Sequence, residues 1–334
     1  MALGVAPAAL ALLVCALVSL GASAVLVVRL ERLAARLGLS EAILGLIAAL
    51  AADGPEIATS ITALLRGQHN VSAGVVLGSN VFNLAALLGL AGIIAGRIQL
   101  HRSVIVFAGT VSLWVAAASV AVTTGLMGAT TTLVLTLGVL VPYVIVSGIS
   151  AARLGRLPLP RAQIKWLHQA VVDEEAELLP AIHPTRGHLR DAAMAGVAVI
   201  TVVGASVGME QTATSLGDRF ELPQIIVGAI ILAAITSLPN AVAAVHLARR
   251  GRGTAVLSEA LNSNNLNVVG GLLIPASILG FAQASGGGVF VAASYAGMTA
   301  LCLAVAYLGR GIGRVAGVLV IGAYLIFVGV LVVW

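Results

Sequence analysis

Apolar runs of about 20 residues recur along the whole of this 334-residue chain, and each is long enough to cross a bilayer as a helix. Only 9% of the residues are charged while 60% are hydrophobic, where a soluble domain carries roughly a quarter charged residues. An apolar core does not explain that deficit, because a soluble fold must still cover its surface. The chain therefore reads as an all-α, polytopic integral membrane protein.

Ten spans are expected, at about 5–28, 40–65, 71–95, 103–124, 127–150, 192–214, 223–248, 254–280, 287–308 and 313–334. The first is too long for a signal h-region and has no charged side chain before it, so it is read as a retained helix. The longest polar interruption, Ala151 to Arg190, holds Pro158, Pro160, Pro180, Pro184 and the acidic run Asp173-Glu174-Glu175-Ala176-Glu177. It divides the chain into a first five-helix unit (1–150), a cytoplasmic linker with no domain of its own (151–190) and a second five-helix unit (191–334).

Orientation follows from the basic residues. With the N-terminus outside, sixteen of the eighteen Lys and Arg residues fall in inside loops, and only Arg66 and Arg219 fall outside. Both termini are expected to face out of a cell membrane. The net charge of +5 belongs to this topology and gives no reason to expect a nucleic-acid partner.

Shifting the sequence by 184 residues aligns Pro55 to Asn83 on a second copy without a gap. Pro55 falls on Pro239, Arg66 on Arg250, Gly67 on Gly251, Ser79 on Ser263, Asn80 on Asn264 and Asn83 on Asn267. These matches are mostly polar or helix-breaking, which apolar bias alone would not produce. The first copy enters the membrane from inside and the second from outside, as in an inverted-repeat transporter.

Each copy places two polar patches inside apolar spans. One is Asp53-Gly54-Pro55-Glu56, repeated as Thr236-Ser237-Leu238-Pro239-Asn240; a proline there frees a backbone carbonyl one turn earlier. The other is Gly78-Ser79-Asn80-Val81-Phe82-Asn83, repeated as Asn262-Ser263-Asn264-Asn265-Leu266-Asn267. Ser79 and Asn83 share a helix face, as do Ser263 and Asn267. Bringing spans two, three, seven and eight together would surround one point with two carboxylates, hydroxyls and amide oxygens, hard ligands suited to Na⁺ or Ca²⁺. Asp53 and Glu56, three apart, would repel unless a cation or proton offset them. The candidate cation-binding residues are thus Asp53, Glu56, Ser79, Asn83, Thr236, Ser237, Asn240, Ser263 and Asn267, with the two acids as the charged metal ligands. Asn80, Asn264 and Glu259, one turn before Ser263, are further candidates.

Other polar residues carry less. Glu210 is expected at the membrane interface, and His246 to snorkel or relay protons. His168, His183 and His188 are read as solvated, Gly286-Gly287-Gly288 as a loop hinge, and Cys15 and Cys302 as unpaired thiols. No Walker motif or nucleotide domain points to an ATPase or another enzyme, and no organic cofactor is expected.

At these patches the sequence resembles the cation/Ca²⁺ antiporter superfamily, nearest to its prokaryotic Na⁺/Ca²⁺ exchanger branch. That family carries two inverted repeats, each with a Gly-Thr-Ser-x-Pro-Glu patch followed by Gly-Ser-Asn-x-x-Asn/Asp. Leu37-Gly38-Leu39-Ser40 and Ile43-Leu44-Gly45-Leu46 resemble its lead-in, and Gly78 to Asn83 match its second patch fully. The departures fall on charged positions. Ala52 and Asp53 stand where the family has Thr and Ser, and Asn240 where it has its second glutamate. Asn262 replaces a glycine, and Asn267 stands where an acid is common. The resemblance implies a ten-helix secondary antiporter in which two glutamates jointly bind Ca²⁺. Here one glutamate remains at Glu56, and Asp53 on the same segment keeps the carboxylate count. Ca²⁺ or a related divalent ion exchanged for Na⁺ or H⁺ is the expected cargo. A monovalent Na⁺/H⁺ antiporter on the same fold, or a scaffold or sensor that moves no ion, is the alternative.

Overall fold

The computed structural model describes residues 4–36, 49–148, 160, 164–170, 172 and 188–333. Outside the described residues lie the family-like lead-in from Leu37 to Leu46, the first part of span two, the acidic run and most prolines of the linker, and His183.

The described chain is almost wholly helical, with one helix at each expected span. Helix α1 is Val5–Arg36; α2 is Gly54–Leu65, entered through helical residues 49–52; α3 starts at His69–Asn83. It continues through a π-helical stretch, Leu84–Leu90, into Ala91–Ala95. Next come α4, Arg102–Thr123, and α5, Ala129–Gly148. The second unit opens with α6, Leu189–Arg219. Helix α7 spans Gln224–Leu238 and Asn240–Arg249, with a 51° bend between them. Helix α8 starts as Gly253–Leu266, turns π-helical over Asn267–Leu273 and ends as Ile274–Leu279. Helices α9, Gly286–Gly309, and α10, Arg314–Val333, close the chain.

Seven of these are long and apolar enough to cross a membrane, and bent α7 makes an eighth. The other two are α2, of which only a short part is described, and α8, whose apolar run is diluted by the polar residues from Asn262 to Asn267.

The repeat read from sequence is also a repeat of form. The π-helical stretch of α8 lies within one residue of where the 184-residue shift places that of α3. A π turn widens the helix locally and leaves carbonyls off the regular ladder; it begins just after the Ser-Asn-x-x-Asn patch in α3 and at the last residue of that patch, Asn267, in α8.

Helices α2, α3, α7 and α8 form the centre. Gly74 and Gly78 let α3 press against α7: a Cβ at Gly78 would lie 2.4 Å from the Cα of Ala229. Close backbone approach through small residues is how helices pack in lipid, where no hydrophobic effect drives them together. Helices α1 and α6 pack along each other, and Asp191 at the start of α6 takes Arg29 of α1 at 2.8 Å and Arg32 at 3.7 Å. A two-stranded antiparallel ribbon, Arg97–Gln99 with Gly311–Gly313, ties the end of α3 to the start of α10.

One expectation is corrected. Gly286 to Gly288 do not form a loop hinge: they open α9, where the Gly288 N–H donates to the Ser285 hydroxyl at 3.3 Å. Small residues fit a first turn whose backbone N–H groups must find a cap. Glu210 is fully buried within the protein on α6 and pairs at 3.3 Å with Arg66 from the α2–α3 turn, while Thr214 donates to its other oxygen at 3.3 Å. His246 lies exposed on the last turn of α7, and His168 is exposed. Cys15 and Cys302 are unpaired.

Candidate cation site

The site begins with a local rule broken twice. Pro55 has no N–H, so it cannot close the helical bond to the carbonyl of Ala51. The chain turns at Asp53 (φ −79°, ψ 0°) and a new helix starts at Gly54, with Pro55 in its first turn and Glu56 beside its positive end. The freed carbonyl is not left for a cation alone: Ser23 of α1 donates to Ala51 O at 2.8 Å and to Ala52 O at 3.3 Å. Ser206 of α6 donates to Pro55 O at 3.4 Å. Both helices of the outer pair thus touch the break through hydroxyls.

An aspartate at the start of a helix ordinarily accepts from that helix's own N–H groups. Asp53 makes no such cap. Its Oδ1 instead accepts from Asn240 Nδ2 at 3.0 Å and from Ser263 Oγ at 2.7 Å, both in the second repeat. Glu56 Oε1 accepts from Ser237 Oγ at 3.0 Å. Thr236 also interacts with Glu56, and its hydroxyl bonds back to Leu232 O at 3.0 Å.

Below the acids the two Ser-Asn-x-x-Asn patches interlock. Asn80 Nδ2 donates to Asn264 O at 3.1 Å, and Asn264 Nδ2 donates to Asn80 O at 3.2 Å. Asn83 Nδ2 donates to Asn264 Oδ1 at 3.1 Å and Asn267 Nδ2 to Asn80 Oδ1 at 3.3 Å. Asn83 Nδ2 also reaches Ser263 Oγ at 3.3 Å. All the candidates from Asp53 to Asn267 except Glu259 are at most 3% exposed.

The remaining lone pairs are nearly all of one kind. The amide nitrogens of Asn80, Asn83, Asn240, Asn264 and Asn267 are all committed to bonds between the repeats. Asp53 Oδ2, Glu56 Oε2, Ser79 Oγ, Asn83 Oδ1 and Asn267 Oδ1 are buried without a hydrogen-bond partner. Leaving such groups unmet costs about 1–3 kcal/mol each, and more for a charged one. Asn265, within the second patch, also leaves both its amide nitrogen and its oxygen unpaired; the five oxygens at the two patches are hard ligands of the kind a cation shell uses. Among the described residues no group of three or more His, Cys, Asp and Glu could hold a metal, so any ion here would be held by two carboxylates together with neutral oxygens.

The structure thus joins every residue expected from sequence except two. Ser79 lies on the expected face of α3 but bonds to no other member. Glu259 is partly exposed on α8, and its buried, unpartnered Oε2 lies within electrostatic reach of Asp53. Sequence reasoning missed the hydroxyls of Ser23 and Ser206. The small, polar stretches around Ser19-Leu20-Gly21-Ala22-Ser23 and Gly204-Ala205-Ser206 were the available signal.

Comparison with known proteins bears on the fold and the family. The inner membrane protein YrbG of Escherichia coli (strain K12) is 28% identical over 246 residues, covering 72% of this chain and 70% of that protein. The fold is that of the sodium-calcium exchanger NCX_Mj. Its structure soaked with 100 mM Na⁺ and 10 mM Sr²⁺ superposes at a TM-score of 0.63 with 20% identity, covering 98% of this chain and 99% of that one. Its structure soaked with 2.5 mM Na⁺ and 0.1 mM Ca²⁺ gives 0.61, at 19% identity and coverage of 96% and 97%. The family described as sodium/calcium exchanger protein matches residues 7–155 and 191–333, both five-helix units, and the chain belongs to that family.

Proposed function

We propose that this protein is a secondary antiporter that exchanges Ca²⁺, or a related divalent cation, for Na⁺ or H⁺ by alternating access. The observation that carries the reading is the set of five unmet buried oxygens, two of them carboxylate, at the interface of the two repeats. Asp53 and Glu56 feel each other's charge, and a divalent ion between them would neutralise both at once. Two Na⁺ ions or two protons could replace it on the return step without leaving net buried charge.

Helices α1 and α6 supply the moving part in this reading. Asp191 holds them together as a pair; their hydrogen bonds to the α2 break come only from the hydroxyls of Ser23 and Ser206, at 2.8–3.4 Å, although α6 also packs along α2 and its Glu210 pairs with Arg66. Such bonds can be exchanged as the pair slides. Both termini face outside, and the linker lies in the cytoplasm, by the distribution of basic residues.

Flux in proteoliposomes, with Na⁺ and pH gradients imposed separately, tests the proposal. Ca²⁺ movement driven by either gradient, and abolished by Glu56→Gln, supports it. Na⁺/H⁺ exchange indifferent to Ca²⁺ replaces it with a monovalent antiporter. No flux under any gradient replaces it with a scaffold or sensor. Titration of the purified protein with Ca²⁺, Mg²⁺, Mn²⁺ and Na⁺ ranks the cargo independently.

A further inference from the structure

The two acids come from one repeat, yet the hydrogen bonds distribute them evenly in space. The 184-residue shift carries residue 53 onto 237 and residue 56 onto 240. Applied to the bond between Asp53 and Asn240, it returns the bond between Ser237 and Glu56. The two bonds, both 3.0 Å, are therefore images of each other under the pseudo-two-fold that relates the repeats. The same operation exchanges the Asn80 and Asn264 bonds, and exchanges Asn83–Asn264 with Asn267–Asn80. Three pairs of bonds obey one symmetry.

Each half-site thus consists of one residue at the first patch position and one at the fourth, drawn from opposite repeats. In one half-site the acid is Glu56, at the fourth position, with Ser237 at the first. In the other the acid is Asp53, at the first position, with Asn240 at the fourth. We infer that the site requires one carboxylate per half-site, not one per repeat, and that within the Asp53–Asn240 pair the acid can be carried by either residue. On the functional reading above, on which this rests, Asp53 supplies from the first repeat the charge that the second repeat lacks at Asn240. A Ser at 53 facing a Glu at 240 would copy the chemistry of the Ser237–Glu56 half-site.

The asymmetry that remains supports this division. Ser263 donates to Asp53, whereas its image Ser79 has no partner; the residue that the shift places opposite Ser79 is Ser237, which carries no charge. Moving the acid from 53 to 240 removes the acceptor for Ser263 and restores equivalence between the two serines.

The experiment compares the natural protein with D53S, N240E and the double variant D53S/N240E. Two readouts are taken on purified, monodisperse protein: the rise in Tm with added Ca²⁺ in detergent, and Ca²⁺ uptake into proteoliposomes. D53S should weaken apparent Ca²⁺ affinity by about tenfold or more, and D53S/N240E should return it to within about threefold of the natural value. N240E alone, with three carboxylates, should bind Ca²⁺ at least as tightly but release it more slowly, lowering uptake. A folded double variant as weak as D53S overturns the inference and leaves the functional reading standing. A natural protein that Ca²⁺ neither stabilises nor crosses with overturns both. If D53S/N240E does not fold, N240E decides: Ca²⁺ stabilisation unchanged in size and uptake unchanged in rate would place residue 240 outside the half-site and sink the proposal.

Discussion

The two helix breaks at the heart of this molecule have diverged in opposite directions. The α2 break carries both acids, starts a new helix at Gly54, and is touched by hydroxyls of α1 and α6 at the carbonyls of Ala51, Ala52 and Pro55. The α7 break bends by 51° and carries only neutral oxygens, and its Thr236 returns its hydroxyl to its own helix. One break holds the charge and is handled by the outer helices; the other completes the shell and looks after its own backbone. Inverted repeats therefore need not share their labour equally, provided that each half-site still joins an acid to a neutral partner.

The largest effect separating the two breaks should come from Glu56→Gln. Removing one carboxylate from a buried pair with its cation costs about 3 kcal/mol, so Ca²⁺ uptake should fall about a hundredfold. Asn240→Gln in the second break should lower uptake far less, and equal losses from the two would break the comparison.

Next comes Gly78→Ala in α3, set against Asn262→Ala at the equivalent position in α8. The added Cβ would collide with the backbone of Ala229, and overpacking of this kind destabilises by about 1–3 kcal/mol. Asn262 instead accepts a bond from Tyr143 Oη at 3.0 Å, and its loss should cost about 1 kcal/mol. Thermal unfolding in detergent orders the two; a larger loss at 262 would mean that the repeats pack alike.

Arg66→Ala probes the buried pair on α6. It strips Glu210 of its cation, but Arg66 is 42% exposed and water can follow it in, so about 1–2 kcal/mol of stability should be lost. Arg250→Ala, at the repeat-equivalent position, should be nearly silent in the same assay.

The smallest effect is a change of slope. Protons compete with Ca²⁺ for carboxylates, so apparent affinity should fall as pH falls. With two competing acids that fall is steep; Asp53→Asn should make it shallower, by up to one proton per ion bound. An unchanged slope would remove Asp53 from the cation shell.

Much of this was legible in the sequence, and for identifiable reasons. Span length, loop charge and the repeat report on the bilayer directly, so a helix lies at each expected span, although α1 runs on to Arg36, eight residues beyond the expected end. The patches were visible because Pro55, Asn80 and Asn83 have no business in apolar helices unless they are used. The Arg66–Glu210 pair was not legible, because its partners lie on different helices and nothing local marks Glu210 as buried. Nor was the capture of the Ala51 carbonyl by Ser23, since one serine among many in a membrane helix looks like any other. Above all, the chain order puts both acids in one repeat, and only the cross-repeat bonds reveal that they occupy opposite half-sites.

The mutual clasp of Asn80 and Asn264, each side chain on the other's backbone, has a further consequence. It is a self-complementary contact, the kind that a two-fold dimer makes with itself. Two separate five-helix polypeptides inserted in opposite senses could form it with a single asparagine codon serving both ends. Once both copies sit in one reading frame, each end of the clasp is written independently, and an acid can be set on one side of the axis without appearing on the other.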